Sequence, residues 1–115
     1  MTTKYYALDD IEITLNDDFY QLYQLQDNDG AIDITGYVIK LAIKRRKNDT
    51  EYLIEPIEAT LTDAQNGYFT FDISKDTLFP SLTVGNYYYS IEVTDLSNTT
   101  ITRIKGEFIV SWEGA

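Results

Sequence analysis

The sequence predicts an all-β fold: a single sandwich of about seven antiparallel strands in two sheets, with at most one short helical turn. Three observations carry that prediction. β-Branched and aromatic residues alternate with polar ones at period two, helical periodicity is nearly absent, and the alternating runs are separated by "DNDG", "RKNDT", "AQNG", "TVGN" and "LSNTT". Such clusters accept turn dihedrals or cap them through side-chain bonds. At 115 residues the chain is one domain, able to bury roughly two thirds of the surface its unfolded form exposes. An N-terminal arm is placed at residues 1–8 and the sandwich at 9–115.

The first strand shows Ile11, Ile13 and Leu15 against Glu12 and Thr14. Residues 19–26, "FYQLYQLQ", are strand-like but apolar on both parities, so the sequence leaves their faces open. A turn at Gly30 follows; "AIDIT" then crosses toward the other sheet, and Gly36 permits the bend into a strand with Tyr37, Ile39, Leu41 and Ile43 on one side. Residues 51–61 contain Pro56, which cannot donate to a ladder, so this segment is an edge or bulged strand. Phe69, Phe71 and Ile73 alternate with Thr70 and Asp72. Ser74 is placed to cap a single helical turn ending before Pro80. In the last two strands Tyr87, Tyr89, Ile91 and Val93 share one parity, and Ile104, Phe108, Val110 and Trp112 share another.

Composition narrows function. With neither cysteine nor histidine, the chain lacks disulfides, the usual zinc, haem and iron–sulfur ligands, and the base or nucleophile of serine- and thiol-type dyads. Nineteen acidic side chains against nine basic ones give a net charge of −10. That charge repels phosphate backbones and anionic lipids, so neither nucleic acid nor membrane is an expected direct partner. No signal peptide pattern opens the sequence, and synthesis in the cytoplasm is expected. Carboxylate pairs of the glycosidase kind remain formally available, but most of the acids, Asp17, Asp18, Asp72 and Glu92 among them, fall in turns or on polar strand faces, so no catalytic residue is assigned. Asp27, Asn28, Asp29 and Asp33 offer oxygens of the type calcium takes, yet Leu25 and Gly36 stand where the first and last ligands of an EF-hand loop belong. A metal-free turn is the expectation, and no cofactor is assigned.

The stretch "LTVGNYYYSI", residues 82–91, resembles the L-x-x-G-x-Y segment leading into strand F of immunoglobulin-like sandwiches. The resemblance implies that the hydroxyl of Tyr87 bonds back to upstream backbone, as a tyrosine corner does. A wider order, "DF", "DNDGAIDITGY", a strand ending in basic residues, "NGYFTF", "VGNYYYSIEV" and "KGEFIV", resembles small sandwich modules of tailed-phage virions, notably the N-terminal domain of baseplate upper proteins and related tail or head accessory proteins. That resemblance implies a non-enzymatic structural protein of a phage or phage-like particle, located in the virion, docking other virion proteins in multiple symmetric copies. Two alternatives stand beside it. Ten tyrosines and one tryptophan on a sandwich fit a carbohydrate-binding module, and the acidic surface fits a nucleic-acid-mimic inhibitor, although the basic cluster interrupts a phosphate-like surface. The candidate partner-binding residues are Lys44, Arg45, Arg46 and Lys47, four of the nine bases, together with Tyr88, whose parity points it away from the core.

Overall fold

The computed structural model describes residues 7–112. Along the chain lie β1 (Ala7–Leu8), β2 (Ile11–Thr14), β3 (Phe19–Gln24), β4 (Gln26–Asp27), β5 (Gly30–Ala31), β6 (Val38–Lys44), β7 (Ile54–Glu58), β8 (Thr60–Asp63), β9 (Tyr68–Ile73), the one-turn helix α1 (Lys75–Leu78), β10 (Gly85–Thr94) and β11 (Thr100–Ser111). A 3-10 turn at Ala64–Asn66 joins β8 to β9. The larger sheet runs β1-β11-β10-β6-β7, with β2 also on β11; the smaller runs β3-β9-β8, and β4-β5 form a separate ribbon. Most of the arm placed at residues 1–8 lies outside the described residues; its last two form β1.

The period-two pattern decides which faces meet. Ile39, Leu41 and Ile43 on β6, Tyr87, Tyr89, Ile91 and Val93 on β10, and Phe108 and Val110 on β11 are buried against Phe19, Phe69, Phe71 and Ile73 of the smaller sheet. Phe19 and Phe108 meet edge to face across the gap, 5.8 Å between centroids. The ambiguous strand at 19–26 resolves here. Phe19 and Tyr23 face inward while Tyr20 and Leu22 stay exposed, because Phe19 pairs with Ile73 and Tyr23 with Phe69, residues whose side chains already point to the core.

The crossing between sheets follows the sequence. Gly30 and Gly36 adopt φ of 111° and 82°, left-handed values that side chains rarely take. Between them Ile34 is fully buried, and its N–H donates to the Ala64 carbonyl at 2.8 Å. The expected cap of α1 is present, with Ser74 Oγ accepting from the Asp76 N–H at 3.1 Å. Asp18 adds a second anchor, since its Oδ1 accepts from the Lys75 N–H at 2.7 Å.

Three details depart from the expected pattern. The strands are not all antiparallel: β1 and β2 pair parallel with β11. Parallel neighbours need a long connection, and here the whole sandwich lies between first and last strand. Residues 51–61 are not one strand, because the chain passes from β7 on the edge of the larger sheet to β8 on the smaller one at the buried Ala59. Pro56 sits on that edge, beside an irregularity in the β6–β7 register. Trp112, grouped by parity with Phe108 and Val110, is 66% exposed. It follows Ser111, the last paired residue, so no facing strand covers it.

Candidate docking site

The outer face of the larger sheet carries a depression of about 730 Å³. It is built from adjacent rows: Lys44 of β6 opposite Tyr88 of β10, which in turn pairs with Glu107 of β11, then Ala42, Ser90 and Lys105. Short side chains at Ala42 and Ser90 keep the floor low. Lys44, Lys47 and Asn48 rise on the β6 side, and Asp10 and Glu107 on the β11 side.

The far rim is fixed by a kink between β1 and β2. Gly106 makes it possible, since a Cβ there would collide with the Asp9 carbonyl. The Tyr89 hydroxyl donates to that same carbonyl at 2.7 Å. Asp10 Oδ1 accepts from the Glu107 N–H at 3.0 Å. Burial, with the nearby Tyr23, Asp9 and Asp10, pushes the Tyr89 hydroxyl pKa well above the ordinary tyrosine value.

The basic cluster at residues 44–47 divides. Lys47 Nζ lies 5.6 Å from the Tyr88 ring centroid, joining two of the sequence-derived site residues in one wall. Lys44 Nζ lies 5.4 Å from the ring of Tyr52. Arg45 instead stands 5.9 Å from the ring of the buried Tyr87, and it does not line the depression. Arg46 is exposed; its N–H donates to Asp49 Oδ2 at 3.2 Å, so Asp49 closes the hairpin turn. Tyr88 is half-buried, its ring under Lys47. Asp10, Lys105 and Glu107 were missed as site residues. Lys105 and Glu107 flank the glycine of "KGEFIV", but nothing in their spacing announces that β1–β2 folds over Gly106 to bring Asp10 beside them.

The corner at Tyr87 is formed as its motif implied. The hydroxyl accepts from the Thr83 N–H at 2.9 Å and donates to the Thr83 carbonyl at 3.1 Å. It therefore ties the segment before β10 to the strand itself.

The acidic segments serve the fold. A second depression, of about 400 Å³, is lined by Asp9, Asp10, Glu12, Asp17 and Asp18 along the β2–β3 side. Asp10 and Asp18 accept backbone N–H bonds, and Glu12 Oε2 accepts from Ser111 Oγ at 2.6 Å. In the turn of the β4–β5 ribbon, whose oxygens are of the type calcium takes, Asp27 Oδ1 accepts from the Asp29 N–H at 2.8 Å. Asp33 Oδ1 accepts from Thr35 Oγ1 at 2.6 Å and from its N–H at 3.0 Å, bonds that hold its carboxyl below the usual range. No group of three or more carboxylates among the described residues is arranged to hold a metal ion. No helix among them is long and apolar enough to cross a membrane.

The order β3-β9-β8 against β11-β10-β6-β7, with a tyrosine corner at the start of β10, defines an immunoglobulin-like sandwich carrying an open groove on one sheet face. Among solved structures, the N-terminal domain of phage TP901-1 ORF48 overlays this chain with a TM-score of 0.59, covering 95% of it and 99% of that domain at 14% identity. The resemblance to tailed-phage modules is thus met by a phage domain of the same fold and extent. CopC from Methylosinus trichosporium OB3b overlays less closely, with a TM-score of 0.48 and 17% identity over 91% of this chain and 86% of that one. No protein-family profile and no curated protein sequence matches the chain.

Proposed function

We propose that this chain is a non-enzymatic structural module of a phage or phage-like particle, docking other virion proteins and present in multiple copies. The observation that carries the reading is the end-to-end correspondence with a phage domain: nearly the whole of each chain overlays, with neither fold embellished by a large insertion. The groove supports the same reading. It is open, lined by three lysines, two tyrosines, small residues and the carboxylates of Asp10 and Glu107, and suits a protein segment laid across a sheet. We assign docking to Lys44, Lys47 and Tyr88 within it, with Arg46 on the adjoining hairpin. Arg45 has a packing role over Tyr87.

Mass spectrometry of purified particles from cells that encode the chain tests this. The chain is expected at the copy number of a ring component, in a fixed ratio to other virion proteins. Its absence from intact particles would sink the proposal. Glycan arrays are the companion measurement, where saturable binding to a defined sugar would favour the carbohydrate alternative.

A further inference from the structure

We propose that the groove on the outer face of the larger sheet receives the acidic β4–β5 ribbon of a second copy of this chain. The inference rests on the docking reading above and names the partner.

The ribbon has the required shape. It forms a two-stranded sheet of its own, separate from both larger sheets, and residues 26–30 are all exposed. The Asp27 side chain accepts the Asp29 N–H at 2.8 Å and Gly30 takes a φ of 111°, so the tip is a narrow preformed turn. It presents the carboxylates of Asp27 and Asp29, with Asp33 a few residues beyond.

The groove supplies the complement. Lys44 and Lys47 rest on the rings of Tyr52 and Tyr88. A ring contact leaves ammonium donors turned to solvent, able to meet a carboxylate. The low floor at Ala42 and Ser90 admits backbone, and the volume of about 730 Å³ accommodates several side chains. On the β11 side the carboxylates of Asp10 and Glu107 outnumber the one cation there, Lys105, so an acidic visitor is held toward the β6 side, over Tyr88.

None of the ribbon's own residues lines the groove of the same copy. The chain leads from the ribbon to Val38, where β6 begins, and Lys44 is where β6 ends, about 20 Å along the strand. Made in one direction and repeated, the contact is heterologous and gives a ring or an open filament; made reciprocally, it closes a two-fold dimer.

Sedimentation velocity of the purified chain up to about 1 mM, at near-physiological salt, reads this directly. Wild type is expected to associate as concentration rises, beyond the dimer where the contact runs one way and to a closed dimer where it is reciprocal. Lys44→Glu with Lys47→Glu should be monomeric, as should Asp27→Lys with Asp29→Lys. An equimolar mixture of the two variants should associate again, because each then presents a charge-matched groove and ribbon to the other. Circular dichroism confirms that each variant is folded; if a reversal does not fold, Lys44→Gln with Lys47→Gln is expected to lose association as well. A wild type that stays monomeric, association that survives either reversal, or a mixture that remains monomeric overturns the contact. A monomeric chain that is nonetheless found in particles removes this contact and leaves the virion reading standing. Self-association of a chain absent from particles does the reverse.

Discussion

Tyr23 and Tyr89 both reach the core, but only the Tyr89 hydroxyl has a partner, the Asp9 carbonyl at 2.7 Å. The Tyr23 hydroxyl is buried with no hydrogen bond, its ring stacked on Phe69 at 5.3 Å between centroids. A buried hydroxyl without a partner costs about 1–3 kcal/mol, whereas removing one member of a buried bond strands the other. The two phenylalanine substitutions should therefore have opposite signs. Tyr23→Phe is expected to leave stability unchanged or raise it, and Tyr89→Phe to lower it by about 1–2 kcal/mol, measured by urea denaturation. Equal losses would show that Tyr23 has a partner after all. Neighbours on β10 separate in the same way: Tyr87 is buried and doubly bonded to Thr83, Tyr88 half-buried on the groove wall. Tyr87→Ala should cost about 3–5 kcal/mol and approach unfolding, with Tyr88→Ala losing a small fraction of that. Matching melting temperatures for the two variants would contradict the strand parity.

At the scale of elements, the β1–β2 kink is the feature that the chain's local pattern conceals. Asp9 donates its N–H to the Lys105 carbonyl at 3.0 Å and its own carbonyl accepts from Tyr89, all above Gly106. Gly106→Ala should destabilise by about 1–3 kcal/mol through overpacking against backbone that cannot swing aside. The loss should localise: amide exchange at Asp9 and Glu107 is expected to accelerate more than at Ile91 in the central strand. Uniform acceleration would show the kink to be no weaker than the rest. The strands themselves were legible because burying one face of a sheet imposes period two, and the turns because glycine, asparagine and aspartate accept turn dihedrals. Where the ladder bulges the rule fails. The β10–β11 register slips after Ile91, Arg103 becomes the extra residue, and Ile101 is left exposed. The candidate site was half legible. Lys44, Lys47 and Tyr88 meet because strand pairing sets Lys44 opposite Tyr88, a register that the sequence does not state. Arg45 follows the last residue of β6 and lies over Tyr87 instead of lining the depression, a direction that the run of bases does not announce.

For the whole molecule, charge and solvation set the working range. The acidic turns hold backbone N–H groups, so chelation by EDTA should leave the melting temperature unchanged; a fall of several degrees that calcium reverses would contradict this. The alkaline limit is set in the core. Burial, with Asp9 nearby, pushes the Tyr23 hydroxyl up to about 12, and burial raises Tyr89 as well. A folded value above the unfolded one, near 10.0, means the neutral hydroxyl is favoured by the fold. The resulting stability is complete below the unfolded value and is lost as pH rises through the folded one. Unfolding should therefore steepen from about pH 10 to pH 12. Tyr23 and Tyr89 should ionise only as the dichroism collapses. Added salt would relieve repulsion among the surface carboxylates but not the desolvation of two buried rings, so the collapse should stay in the same pH window. If Tyr23 and Tyr89 ionise, seen as tyrosinate absorbance lost in their phenylalanine variants, while the β signal persists, the core hydroxyls are not what limits the fold. If salt moves the collapse far upward, repulsion among the carboxylates is the controlling force.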